Sequence, residues 1–289
     1  MKIDLNFKND DNIFALHEAD TPYLSFRALD ELSIFPNAFT TRHGGVSEGW
    51  LSSLNLTLKK EGETREHILE NFRRVAESAG FDMERMVLSD QTHTTNVREV
   101  TEADAGKGLL RSSDFESVDG LVTNVPGITL VTFYADCVPL YIADPVHKAI
   151  GLSHSGWRGT VGRMGEITLR KMSELYGTEP KDVVCCVGPS ICRDCFEVGP
   201  EVSEEFRDSF PETCHKDIIL GPSFNEAGEE KYHIDLWKAN ELIFRMAGVR
   251  PEHISVTNVC TRCNTDTFWS HRALGTKRGN MAAFLSLRP

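Results

Sequence analysis

Basic residues are few and scattered: 31 Lys and Arg stand against 43 Asp and Glu, giving a net charge of −12. No face or arm gathers them, which argues against a nucleic-acid partner, because phosphate contacts need a basic footprint. Long apolar runs are also missing. The most apolar stretch, Gly120 to Ala135, is broken by Asn124 and Pro126 and is too short to span a bilayer. The N-terminus, MKIDLNFKND, carries no apolar signal core, so the expectation is a cytoplasmic protein without a membrane partner. In that setting the eight Cys read as thiols or metal ligands rather than a disulfide framework. Repeats, low-complexity tracts and long linkers are absent as well. We therefore expect one domain over residues 1–289, with residues 1–35 an N-terminal extension whose strands are integrated in it.

What is present alternates strand and helix signals along the whole chain. PNAFTTRHGGVSEGW reads as a strand running into a Gly-rich turn, and 86–100 and 120–156 are rich in β-branched and aromatic residues. Thr64 to Gly80 predicts a helix, with Ile68, Leu69, Phe72, Val75, Ala76 and Ala79 at helical spacing. Thr160 to Gly177 predicts a second, on a stripe of Val161, Met164, Thr168, Met172 and Leu175. Asp235 caps a third that runs to Gly248 through Leu236, Ala239, Ile243 and Met246. The fold class expected is α/β.

The stretch ADCVPLYIADPVHKAIGLSHSGWRG places Cys137 and His154 at the ends of an apolar segment. Asp144-Pro145-Val146-His147 fits a type I turn. If VPLYIA and KAIGLS pair around it, partners sum to 291, and Cys137 faces His154 across the open end with Cα atoms roughly 4.5–5.5 Å apart. Three readings are open for this pair: buried filler, a nucleophilic Cys/His pair, or part of a metal site. A catalytic zinc takes three protein ligands and keeps one position open. His93 in SDQTHTTNV and His43 in TTRHGG are the candidates for the third. Arg42, beside the paired glycines, suits an oxyanion.

FTTRHGGVSEG, SLNL, QTH, VDGLVT, ADCVPLYIAD, HSGWRG, VGPSIC and FWSHR occur in the order seen in the YfiH/laccase-domain family, and the chain resembles that family from about Ala38 to Phe284. Its members were first described as multicopper polyphenol oxidases and are now described as purine nucleoside phosphorylases. The resemblance implies a layered α/β sandwich with mixed sheets. It also implies that His93, Cys137 and His154 hold zinc, with copper an alternative occupant, and that Arg42 contacts phosphate. The family often ends in a TGRMA-like stretch. Here GTKRGNMAAF puts Asn280 where Arg is usual, leaving Arg278 or Arg272 for an anion role. SLNL runs on into TLKKEGE without the acidic turn common in relatives.

The activity implied is zinc-dependent phosphorolysis of adenosine, inosine and S-methyl-5′-thioadenosine, with deamination of adenosine; the protein would be a glycosyltransferase and hydrolase. Inorganic phosphate is then co-substrate and a nucleoside the partner, on a monomer or homodimer. Deamination needs an activated water, which an open zinc position supplies, and a general acid/base, for which Asp136 and His43 are candidates. One rival is an amidase editing cell-wall precursors, with Cys137 as nucleophile. Another is a copper polyphenol oxidase, disfavoured because ten His include no HxH pair. Cys192-x-x-Cys195 and Cys260-x-x-Cys263 have four-thiolate zinc spacing, yet we read them first as core or loop thiols, ahead of a second zinc or a redox pair. Cys185, Cys186 and Cys214 suggest nothing beyond packing.

Overall fold

A computed structural model describes residues 3–57 and 60–288; Leu58 and Lys59 of the TLKKEGE stretch lie outside the described residues. In chain order the strands are β1 Phe14–His17, β2 Tyr23–Phe26, β3 Asn37–Thr40, β4 Met86–Leu88, β5 Val97–Glu99, β6 Gly120–Thr123, β7 Thr129–Tyr134 and β8 Val138–Asp144. There follow β9 Ala149–Ser155, β10 Val184–Val187, β11 Glu197–Val198, β12 Ile219–Phe224, β13 Glu230–Ile234, β14 Ile254–Val256 and β15 Met281–Ser286. One six-stranded sheet has the order β1-β2-β3-β15-β7-β4 and a second the order β14-β10-β8-β9-β6-β5, with a small β11-β13-β12 sheet beside them. Both large sheets mix parallel and antiparallel pairs.

The layers follow from which face each side chain takes. In β15, Met281, Ala283 and Leu285 enter the core between the two sheets, while Ala282 and Phe284 enter the core under helix Arg65–Ala79. In β8, Tyr141 and Ala143 face the inter-sheet core. Leu140 and Ile142 face the helices Met164–Tyr176 and Leu236–Met246. The order is helix, sheet, sheet, helices: a single α/β sandwich. Strands covered on both faces read as continuous apolar runs rather than alternating ones, which is why VPLYIAD looks like unbroken core.

Helix limits follow their local signals. Thr64 caps the first helix by accepting from His67 N, and Gly80 ends it in the left-handed region at φ 74°. Asp235 caps the third by accepting from Lys238 N. The second differs from expectation. It is two helices, Trp157–Val161 and Met164–Tyr176, parted at Gly162 and at Arg163, whose φ is 60°. A Cβ on Gly162 would lie 2.7 Å from Thr95 Cγ2, so the chain bends where it crosses that loop. Leu175 and Met246, placed on apolar stripes by their spacing, are exposed near helix ends.

The hairpin register needs a correction. Partners run Pro139↔His154 to Asp144↔Ala149, summing to 293 rather than 291. Four residues, 145–148, make the turn instead of two, with Lys148 at φ 50°. Asp144 holds the turn by accepting from Val146 N, His147 N and His147 Nδ1. A two-residue offset keeps every side chain on its face, so Cys137 and His154 still converge, as diagonal rather than direct neighbours.

Candidate active site

Three elements bring His93, Cys137 and His154 together, and their ligand atoms lie within 4.8 Å of one another. His154 is the penultimate residue of β9, and Cys137 precedes β8 after Asp136, which turns the chain at φ 82°. His93 sits on the loop between β4 and β5 at φ 67°, with Nε2 3.9 Å from Cys137 Sγ. The imidazoles of His93 and His154 meet edge to face at 5.0 Å. Gly156 makes room: a Cβ there would lie 3.0 Å from His93 Cδ2 and 3.1 Å from Cys137 Sγ.

Asp119 organises the group. Its Oδ1 accepts from His154 Nδ1 at 2.8 Å and from His93 N at 3.0 Å. Its Oδ2 accepts from Thr92 N, Thr94 N and Thr94 Oγ1. The contact with Nδ1 leaves His154 Nε2 for an ion, the usual arrangement of a carboxylate behind a metal-binding imidazole. Burial pushes the Asp119 carboxyl up, but His154 and the backbone donors outweigh it and bring it down to about 2. Burial likewise raises the Cys137 thiol, yet His154 and His93 draw it down to about 6. Burial lowers His154, but Cys137 and Asp119 lift it to about 9. A thiolate beside two histidines, one held by a carboxylate, is a donor set that fits a first-row metal ion.

These three residues line a cavity of about 690 Å³, with Phe115 and Phe133 on its walls and Arg65, Arg111 and Arg278 around it. Arg65 and Arg111 donate to backbone carbonyls of Leu109, Ala105 and Ala103. Arg278 donates to Gly279 O and Asn280 Oδ1 and has no ion pair among the described residues. Burial lowers its pKa, opposed by the nearby charges of Cys137 and Asp136.

The other expected site residues lie elsewhere. The Arg42 guanidinium packs on the Trp269 ring at 3.6 Å and donates to Thr265 O and Ser52 O. His43, half-buried, has its pKa lowered chiefly by burial, with Asp266 opposing. Neither lines the cavity. Asp136 Oδ1 accepts from Thr261 Oγ1, and its Oδ2 accepts from Ser270 Oγ and Arg272 N. Its carboxylate thus braces the 261–272 loop. Arg272 is exposed and donates to Cys195 O. Sequence reasoning missed Asp119, Arg65, Arg111 and the two aromatic walls. Only Asp119 left a signal, as the Asp of VDGLVT.

Fold and site together define a layered α/β protein in which two histidines and one cysteine, a group able to hold a metal ion, line one cavity. A family model described as multi-copper polyphenol oxidoreductase laccase matches residues 36–288, and the chain belongs to that family. It is 36% identical over 265 residues to a purine nucleoside phosphorylase of Bacteroides thetaiotaomicron, covering 91% of this chain and 95% of that one. It is 34% identical to purine nucleoside phosphorylase YlmD of Bacillus subtilis, covering 86% and 87%. Identity is 33% to adenosine deaminase RL5 of an unknown prokaryotic organism, covering 84% and 90%. The crystal structure of YlmD from Geobacillus stearothermophilus superposes with a TM-score of 0.84 at 33% identity, covering 96% of this chain and 100% of that one. That of Bacillus licheniformis YfiH gives 0.87 at 30%, with the same coverage.

Proposed function

We propose that the protein is a zinc-dependent purine nucleoside phosphorylase acting on adenosine, inosine and S-methyl-5′-thioadenosine, and that it also deaminates adenosine. The observation that carries this reading is the meeting, in one cavity of nucleoside size, of the His93, Cys137 and His154 group with the Arg278 guanidinium, which has no ion pair among the described residues. Relatives named for both activities support it.

In phosphorolysis a phosphate oxygen bonds to the sugar C1′, the glycosidic bond breaks, and its electron pair leaves with the purine. Arg278 is placed to hold the phosphate by charge-assisted hydrogen bonds, a role it takes in preference to Arg42. Phe133, half-buried on the cavity wall, offers apolar surface to a purine. His93, Cys137 and His154 would hold zinc, and when bound it supplies a Lewis acid. Asp119 fixes the His154 tautomer, and Asp136 positions the segment that carries Cys137.

The test is incubation with a nucleoside panel, with and without phosphate, following free base and ammonia. Free base only with phosphate is the expected result, as is inosine formed from adenosine without it. No change in either product overturns the reading. One observation favours a second reading: the Cys137 thiol lowered to about 6 beside His154 resembles a nucleophilic pair. An acyl adduct on Cys137, sought by mass spectrometry after incubation with cell-wall peptide amides, would favour that amidase.

A further inference from the structure

The two Cys-x-x-Cys motifs lie outside the cavity and have no part in the chemistry above. Cys192 and Cys195 flank a short turn after β10, and Cys260 and Cys263 lie in the loop after β14. The structure joins these turns: Ser190 and Cys260 form an isolated bridge, and Thr261 N donates to Ser190 O at 3.1 Å. All four sulfurs come within 4.8 Å of one another, with Cys195 Sγ 3.5 Å from Cys263 Sγ. All four are free thiols.

Four thiolates around a tetrahedral zinc, each near 2.3 Å from the ion, stand about 3.8 Å from one another. The sulfur cluster has that size. The first turn also folds back on its leading cysteine, Cys195 N and Phe196 N donating to Cys192 O. Cys192 N points at Cys260 Sγ at 3.3 Å, a donor that suits a thiolate. A zinc with four thiolates carries a net double negative charge, and cations stand by to offset it. Arg262 Nη1 lies 3.5 Å from Cys195 Sγ, and Lys8, which also pairs with Asp194, lies within electrostatic reach of Cys192 and Cys263. In an acidic chain, two cations beside four thiols match a thiolate–metal cluster better than neutral core thiols.

We infer that Cys192, Cys195, Cys260 and Cys263 form a second, structural zinc site that clamps the 190–196 turn to the 260–272 loop. The clamp supports the cavity through Asp136, which accepts from Thr261, Ser270 and Arg272 and whose own carbonyl accepts from Ile191 N. Both anchoring segments thus begin next to a cysteine of the cluster. The reading as ordinary loop thiols, preferred from sequence alone, is set aside because it does not account for the meeting of all four sulfurs.

The full-length protein, loaded with zinc under reducing conditions and freed of excess, should carry two zinc ions per chain by elemental analysis. His93→Ala/Cys137→Ala should keep one, and Cys195→Ser/Cys263→Ser should also keep one. Cobalt loaded into His93→Ala/Cys137→Ala should show the visible bands and thiolate charge transfer of a tetrahedral four-sulfur site. That variant leaves the cluster intact, so the test stands even if the cysteine double variant fails to fold. Zinc absent from His93→Ala/Cys137→Ala overturns the inference, as does iron in place of zinc in the natively loaded protein. A wild type with one zinc that Cys195→Ser/Cys263→Ser retains would overturn it too. None of these outcomes depends on the reaction assigned to the cavity.

Discussion

Replacing Asp119 by Asn removes one charge and keeps the shape, yet it disturbs both histidines of the candidate metal site. The carboxylate accepts five hydrogen bonds and donates none. If the Asn oxygen keeps the three donors from Thr92 and Thr94, its amide N–H groups face His93 N and His154 Nδ1. His154 must then move its proton to Nε2 for Nδ1 to accept, and a protonated Nε2 cannot bind an ion. His93 N loses its acceptor. An unsatisfied buried donor costs roughly 1–3 kcal/mol. Independently, drawing the carboxyl from its ordinary 3.8 down to about 2 is worth about 2 kcal/mol. Losing the partner of a metal-binding imidazole typically costs about 10–100-fold in metal affinity. Asp119→Asn should therefore lower zinc affinity of the cavity site by that factor, read by competition with a chromophoric chelator. It should also destabilise the metal-free protein by about 2 kcal/mol in chemical denaturation. The sign with pH comes from the lowered carboxyl. Its stabilisation is present above 3.8 and lost as pH falls toward 2, so the wild type should lose stability more steeply than Asp119→Asn in that window. Equal zinc affinity in the two proteins would refute this account of Asp119.

Arg278→Ala should raise KM for phosphate by about 10–100-fold, the worth of a lost charge-assisted contact, with a smaller effect on KM for inosine; equal changes in both would deny it a phosphate role. Gly156→Ala places a methyl against His93 and Cys137 and should weaken zinc binding while shifting thermal unfolding of the metal-free protein little. Metal uptake should also depend on pH. With the Cys137 thiol at about 6 and His154 at about 9, zinc binding near pH 7.5 displaces a proton from His154, and below pH 6 one from Cys137 as well. Affinity should fall with falling pH, more steeply below 6. Calorimetry in buffers of different ionisation enthalpy counts the protons, and zero release at pH 7.5 would contradict the charge assignment.

Much of the fold is legible because its signals are local. Thr64, Gly80, Gly177 and Asp235 each mark a helix limit by their own conformation or side chain. The hairpin reads two residues out of register because Asp144-Pro145 resembles a tight turn, whereas Lys148 adopts a left-handed conformation and lengthens it. The error leaves the convergence of Cys137 and His154 intact, since strand faces repeat every two residues. The cavity rim is not legible. Arg65, Arg111 and Phe133 come from a helix, a loop and a strand that meet only in the folded chain, and no spacing links them. Arg42 shows another limit: its Gly-rich neighbours suggest an anion turn, and the fold packs its guanidinium on Trp269, bonds it to two carbonyls and leaves it off the cavity lining. The thiol pairs show the same limit, because sequence gives each pair but not their meeting.

The most direct test compares zinc content and phosphate-dependent adenine release on the same preparations of wild type and Cys137→Ala. The variant should lose one zinc ion per chain together with its adenosine phosphorolysis. A Cys137→Ala protein that has lost that zinc and still turns over adenosine at the wild-type rate would contradict a zinc-dependent reaction at this site.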